Sequence, residues 1–174
     1  MGHKGWNVAV LLAIGAIWFA GTTQHEKPVV TSTHIDLVAP LEEEAALHPS
    51  AKTVGALAQA YLDARAPGMA LAAIERSPSS VKVEPPVEHL YARALLDQGR
   101  SRDALAAERR VLERCADPDG LTCSMTLLAS ATRRADILAE LVGLGVEDAN
   151  AHPEASSLAY VNATRQARLA SFPQ

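Results

Sequence analysis

Two stretches of the chain repeat each other at one fixed interval. Leu57-Ala58 aligns with Tyr91-Ala92, Tyr61-Leu62-Asp63 with Leu95-Leu96-Asp97, and Ala70-Leu71-Ala72 with Ala104-Leu105-Ala106, all 34 apart and without gaps. Self-similarity at this period marks helix-turn-helix units that stack, because one unit alone cannot bury its apolar face. Composition points the same way. Of 174 residues, 33 are Ala and only 4% are aromatic. Ala loses least on entering a helix, and the residues that favour pleated strands are scarce, so a β-sandwich or barrel is not expected. Hydrophobic residues make up 48%, enough for a buried core and too many for a disordered chain.

The repeat carries its own punctuation. Ser50 is placed to cap a helix by accepting a bond from a free backbone N–H. Pro85-Pro86 breaks the chain before a second unit, and Gly99 can take the positive φ that ends a helix. Beyond it, Thr122 to Thr132 and Ala135 to Leu144 read as two helical patterns separated by Arg133-Arg134, with Gly143 and Gly145 at their end. Pro153 suits the first turn of a last helix, PEASSLAYVNATRQARLASF, which would cover the exposed end of the array.

Residues 87–113, VEHLYARALLDQGRSRDALAAERRVLE, are similar to the tetratricopeptide repeat (TPR) family. Ala92 takes the small position where paired helices cross, Gly99 the turn, Ala104 the small residue of the second helix, and Val111-Leu112 close its apolar face. Residues 51–84 are a second copy, with Ala58, Tyr61, Ala70 and Ile74 in matching places. The family's usual Trp and second-helix aromatic are absent, and Glu108 occupies a normally apolar place. The resemblance implies an all-α fold: a short right-handed α-solenoid of TPR-like repeats at about 51–84 and 85–118, with a degenerate unit at 119–150. A capping helix at 153–172 completes the domain 50–174. It also implies a concave groove lined by the first helix of each unit. Carried over position by position, that groove presents Gln59, Leu62 and Asp63 from one unit and His89, Arg93, Leu96 and Asp97 from the next. Each set sits at helical spacings of three to four on one face. The mix suits a protein segment that is part polar and part apolar; the competing reading is of ordinary solvated positions. The family's carboxylate clamp needs several Lys, Arg and Asn residues, most of which are missing here.

The N-terminus addresses the compartment. Residues 5–23, GWNVAVLLAIGAIWFAGTT, contain no charge. As a helix, nineteen such residues span about 28 Å, close to the roughly 30 Å hydrocarbon core of a bilayer. Trp6 and Trp18 stand near the two ends, where indole rings favour the interface, and Lys4 favours a cytoplasmic start. The expectation is an uncleaved signal anchor over 1–23, with the body in the periplasm of a bacterial cell. The alternative is cleavage and secretion to the periplasm, although Trp18-Phe19 stands where a cleavage site wants small side chains. Residues 24–49 read as a tether, with a short helix over Leu41 to Leu47 ended by Pro49. Cys115 and Cys123 enclose a turn-rich loop and suit a disulfide in an oxidising compartment; two buried thiols at helix ends are the other reading.

No sequence constellation supports an enzyme, and no cofactor, metal or small-molecule substrate is expected. The six His lack the i, i+4 partner of a helical zinc site. Asp117-Pro118-Asp119-Gly120 lacks the remaining ligands of a calcium loop, and the Glu42-Glu43-Glu44 run suits a solvated helix face. There is no nucleophile elbow, phosphate loop or dinucleotide fingerprint. A net charge of −4 disfavours nucleic acid. The expected role is a protein-interaction adaptor of the envelope, the rival a structural subunit of a larger membrane complex.

Overall fold

The computed structural model describes residues 32–117 and 123–170. The expected anchor at 5–23 lies outside the described residues. Among the described residues the protein is all helix: α1 (Ser32–Leu47), α2 (Ala51–Asp63), α3 (Pro67–Arg76), α4 (Ser79–Lys82), α5 (Pro85–Asp97), α6 (Ser101–Ala116), α7 (Met125–Gly143) and α8 (Pro153–Ala170). None of them is long and apolar enough to cross a membrane.

The starts of these helices follow from local chemistry. Ser50 accepts from the Thr53 amide at 3.2 Å while Thr53 Oγ1 accepts from the Ser50 amide at 3.0 Å, a reciprocal capping box ahead of α2. Ser124 caps α7 by accepting from the Leu127 amide at 3.1 Å. Pro67, Pro85 and Pro153 open α3, α5 and α8, where the missing N–H costs nothing.

The ends share one device. Arg65, Gly99 and Gly145 have φ of 55°, 75° and 74°. After each, an amide bonds back across the last helical turn: Ala66 to Tyr61 at 2.9 Å, Arg100 to Leu95 at 3.0 Å, and Val146 to Leu141 at 2.9 Å. This is the Schellman closure of a helix. Arg65 and Gly99 are equivalent positions of the two units, so the repeat extends to the backbone of its turns. Arg65 holds a left-handed conformation that favours glycine, at a cost of roughly 1–2 kcal/mol.

Packing runs along the chain. α2 packs on α3, both on α5, α5 on α6, α6 on α7, and α7 on α8. Small residues stand on the packed faces: Ala58, Ala70, Ala92 and Ala104 are all fully buried, in both units at the same positions. Helix axes about 8–10 Å apart leave no room there for a larger side chain. Ala92→Leu is therefore expected to destabilise the protein by about 1–3 kcal/mol, because added methylenes force strained rotamers and backbone shifts. Chemical denaturation of the full chain reads the loss; an unchanged midpoint would mean that this crossing is loose.

Two expectations need correction. α7 is one unbroken helix through Arg133-Arg134, not two. Its buried residues Ala131, Ala135, Leu138 and Leu141 keep one continuous stripe past the paired arginines, and Arg is a good helix former. α8 packs on this helix. Arg133 lies 5.3 Å from the Tyr160 ring centroid, and Asn162 donates to Glu140 at 3.1 Å. Finally, the helix expected over residues 41–47 begins at Ser32 and passes through Pro40.

α1 meets α2 through Tyr61, whose hydroxyl donates to a Glu42 carboxylate oxygen. An open hollow of about 620 Å³ beside this contact is lined by Glu42, Leu57, Tyr61, Met69 and Arg76, among others. Burial, and then the Glu42 carboxylate, push the Tyr61 pKa from 10.0 up to about 12. The fold holds the neutral phenol. Its contribution to stability is whole below pH 10.0 and is lost as pH rises through about 12. Melting temperature should fall more steeply across that window in the parent than in Tyr61→Phe.

Candidate functional site

The C-terminal ends of α2 and α5 stand side by side and leave an open groove of about 490 Å³, lined by Leu62, Asp63, Arg65, Pro67, Arg93, Asp97 and Asn150. Four of these seven are among the residues expected from the repeat. Gln59 joins them through hydrogen bonds: its Nε2 donates to Asp63 Oδ1 at 2.7 Å, and its Oε1 accepts from Arg93 at 3.4 Å. Arg93 also lies 3.8 Å from Asp63. Among the described residues, Asp97 and Arg65 have no ion-pair partner. The groove thus offers one free carboxylate, one free guanidinium and a second guanidinium held loosely.

The remaining expected residues do other work. Leu62 is only 4% exposed and serves mainly as core beneath the groove. Leu96 is half-buried and packed against that core. Both carbon chains gain more from the inter-helix contact than from a solvated face. His89 is half-buried and is bonded to α6 and α7 instead of lining the groove.

Asn150 reaches the groove because residues 144–152, between α7 and α8, fold back onto the α5–α6 turn. The Glu147 carbonyl accepts from Ser101 Oγ at 2.6 Å and from the Ser101 amide at 3.1 Å. Asp148 lies so close to Gly99 that a Cβ there would stand 2.8 Å from its carboxyl carbon. Gly99 is therefore required twice, by its positive φ and by this approach.

Apart from the groove, the fold holds buried carboxylates. Glu88 and Glu108 are buried, at 6% and 0% exposure. They take the places in the second unit that Val54 and Ile74 take in the first, so carboxylates stand where the first unit holds aliphatic side chains. Each is neutralised by arginine. Arg110 donates to Glu88 at 2.6 Å, and Arg114 donates to its other oxygen. Arg134 of α7 donates to Glu108 Oε1 at 3.0 Å. Glu108 Oε2 lies 2.8 Å from His89 Nδ1, and His89 Nε2 lies 3.0 Å from Ser130 Oγ. Among the described residues no buried side-chain nitrogen or oxygen lacks a partner, and no group of His, Cys, Asp and Glu is placed to hold a metal.

Cys115, at the end of α6, is bonded to Cys123, just before α7, with Cα atoms 5.4 Å apart. Sequence reasoning missed Arg65, Pro67, Asn150 and the Glu108 cluster. Two of these had a signal: Arg65 stands in the first unit where Gly99 stands in the second, and Glu108 stands where the first unit has Ile74. Comparison of the chain with protein-family models, with curated proteins and with solved structures finds no match.

Proposed function

We propose that this protein is an adaptor of the bacterial cell envelope that binds a segment of a partner protein along a concave face of a TPR-like α-solenoid. The N-terminal segment 5–23 acts as its membrane anchor and the helical body faces the periplasm. One observation carries the reading: Leu62, Asp63, Arg93 and Asp97, chosen for their places in the sequence repeat, line a single open groove. Unpaired Asp97 and Arg65 favour a segment carrying charges of both signs, and the pairing of α7 with α8 supports a third helical unit in the array.

A second reading draws on α8. Leu158 and Val161, one helical turn apart, are 49% and 50% exposed on its outer side. A subunit permanently embedded in a larger complex would cover that face and have no detachable client.

The test is affinity purification of the tagged full chain from native membranes. Arg93→Ala is expected to leave stability within about 0.5 kcal/mol, as for surface substitutions in general, and to lower recovery of the co-purified protein. If Arg93→Ala recovers that protein fully while Leu158→Glu loses it, the groove reading fails and the subunit reading stands.

A further inference from the structure

Three helices bring together a serine, a histidine and a carboxylate in one hydrogen-bonded line. Ser130 Oγ on α7 lies 3.0 Å from His89 Nε2 on α5, and His89 Nδ1 lies 2.8 Å from Glu108 Oε2 on α6. Proton positions along this line follow from the partners. The Glu108 carboxylate already accepts from Arg134 at 3.0 Å and has only acceptor capacity to offer His89. Nδ1 therefore carries the ring proton and donates it to Glu108. Nε2 is left with its lone pair and accepts from the Ser130 hydroxyl. Other serines in the fold spend their hydroxyls on carbonyls: Ser77 on Ile74, Ser101 on Glu147, Ser156 on Ala149. Ser130 faces a base. It is exposed, whereas Glu108 is fully buried, so the reactive end is open and the orienting end is dry.

We propose that Ser130 is a nucleophilic serine, with His89 as its general base and Glu108 as the positioning residue, that takes the acyl group of activated carboxylic esters. Oγ bonds to the ester carbonyl carbon as its proton passes to Nε2. The carbon–oxygen bond to the leaving alcohol then breaks, and Nε2 returns the proton to that oxygen. Water then attacks the acyl carbon as Nε2 takes its proton, the carbon–Oγ bond breaks as Nε2 returns that proton to Oγ, and the acid leaves. Arg134 NH1 lies 3.2 Å from Nε2 and 3.3 Å from Nδ1, so its guanidinium sits against the ring. Backbone amides around Ser130 are committed to helical bonds within α7, so no pair of amides assists. Acyl transfer by this site is correspondingly slow beside that of a serine served by fixed backbone donors.

The experiment treats the purified full chain with an alkyl fluorophosphonate and maps the adduct by peptide mass spectrometry. Here the phosphorus–oxygen bond replaces the phosphorus–fluorine bond, and fluoride leaves. The expected result is a single dominant adduct on Ser130, with the labelled protein losing its burst of nitrophenolate from 4-nitrophenyl acetate. Loss of a general base typically slows such a step by about 10²–10⁴-fold, so His89→Gln should label at least about 100-fold more slowly. Glu108→Gln should slow labelling and move the ring proton from Nδ1 to Nε2, which ¹⁵N shifts of the His89 ring report independently of stability. Labelling of Ser130 no faster than of other exposed serines overturns the proposal. So does a folded His89→Gln protein that labels at the parent's rate.

Discussion

Arg134→Met is expected to destabilise the protein by about 3–5 kcal/mol, the cost of leaving a buried charge without its partner. Glu108 is fully buried, and among the described residues Arg134 is the arginine paired with it, 3.0 Å away across the α6–α7 contact. Methionine fills much of the volume of the arginine stem, so the loss is electrostatic rather than a cavity. A domain of this size has about 5–15 kcal/mol in total, and the variant should lose a large part of it. The double variant Glu108→Ile/Arg134→Met separates the causes. It puts at position 108 the residue that the first unit has at Ile74, and hydrophobic replacement of a whole buried pair is often neutral or stabilising. His89 then loses the acceptor for its Nδ1, which costs about 1–3 kcal/mol. The double variant should thus melt above Arg134→Met and somewhat below the parent. Urea denaturation of the three chains checks the order. Arg134→Met with the parent's midpoint would show that Glu108 is not confined as the structure has it.

What the sequence makes legible here is whatever depends on short-range spacing. Ala58, Ala70, Ala92 and Ala104 stand out because small residues recur at the repeat interval, and all four are fully buried. Gly99 stands out because a helix end needs a left-handed residue, and its φ is 75°. The polar core is different. A glutamate inside an amphipathic helix reads as surface wherever its partner is distant in sequence. Glu108 pairs with Arg134, 26 residues on, and His89 meets Ser130, 41 residues on. The apolar place that Glu108 occupies in the repeat marks it as unusual, but nothing local names Arg134 as its partner or Ser130 as the neighbour of His89. The groove was half legible for a related reason. α2 and α5 supply Asp63, Arg93 and Asp97 in register, but Asn150 arrives on a loop that folds back onto Gly99 and Ser101. Arg133-Arg134 reads as a break between helices only while both charges are assumed to need water. One of them is instead the counterion of Glu108 and holds α7 straight against α6.

Removing the disulfide is expected to cost roughly 2.5 kcal/mol, the chain-entropy value for so short a closed loop. Cys115 and Cys123 are eight residues apart in sequence and join the end of α6 to the approach to α7. The same two helices hold Glu108 and Arg134, so the bond and the ion pair fix one junction from two places, a covalent one at its end and an ionic one within it. Cys115→Ala/Cys123→Ala should shift the denaturation midpoint down with little change in slope, because the native surface stays the same and a closed loop of eight residues alters the surface of the unfolded chain little. Adding reductant should bring the parent to the variant's midpoint and leave the variant where it is. Neighbouring sites of one junction also couple. Disulfide removal combined with Arg134→Met should therefore depart from the sum of the two single losses, whereas disulfide removal combined with Tyr61→Phe at neutral pH should add. A parent whose midpoint ignores reductant, with both thiols labelled before reduction, would mean that the bond does not form in the isolated protein. The α6–α7 junction would then rest on the Glu108–Arg134 pair and the apolar contact alone.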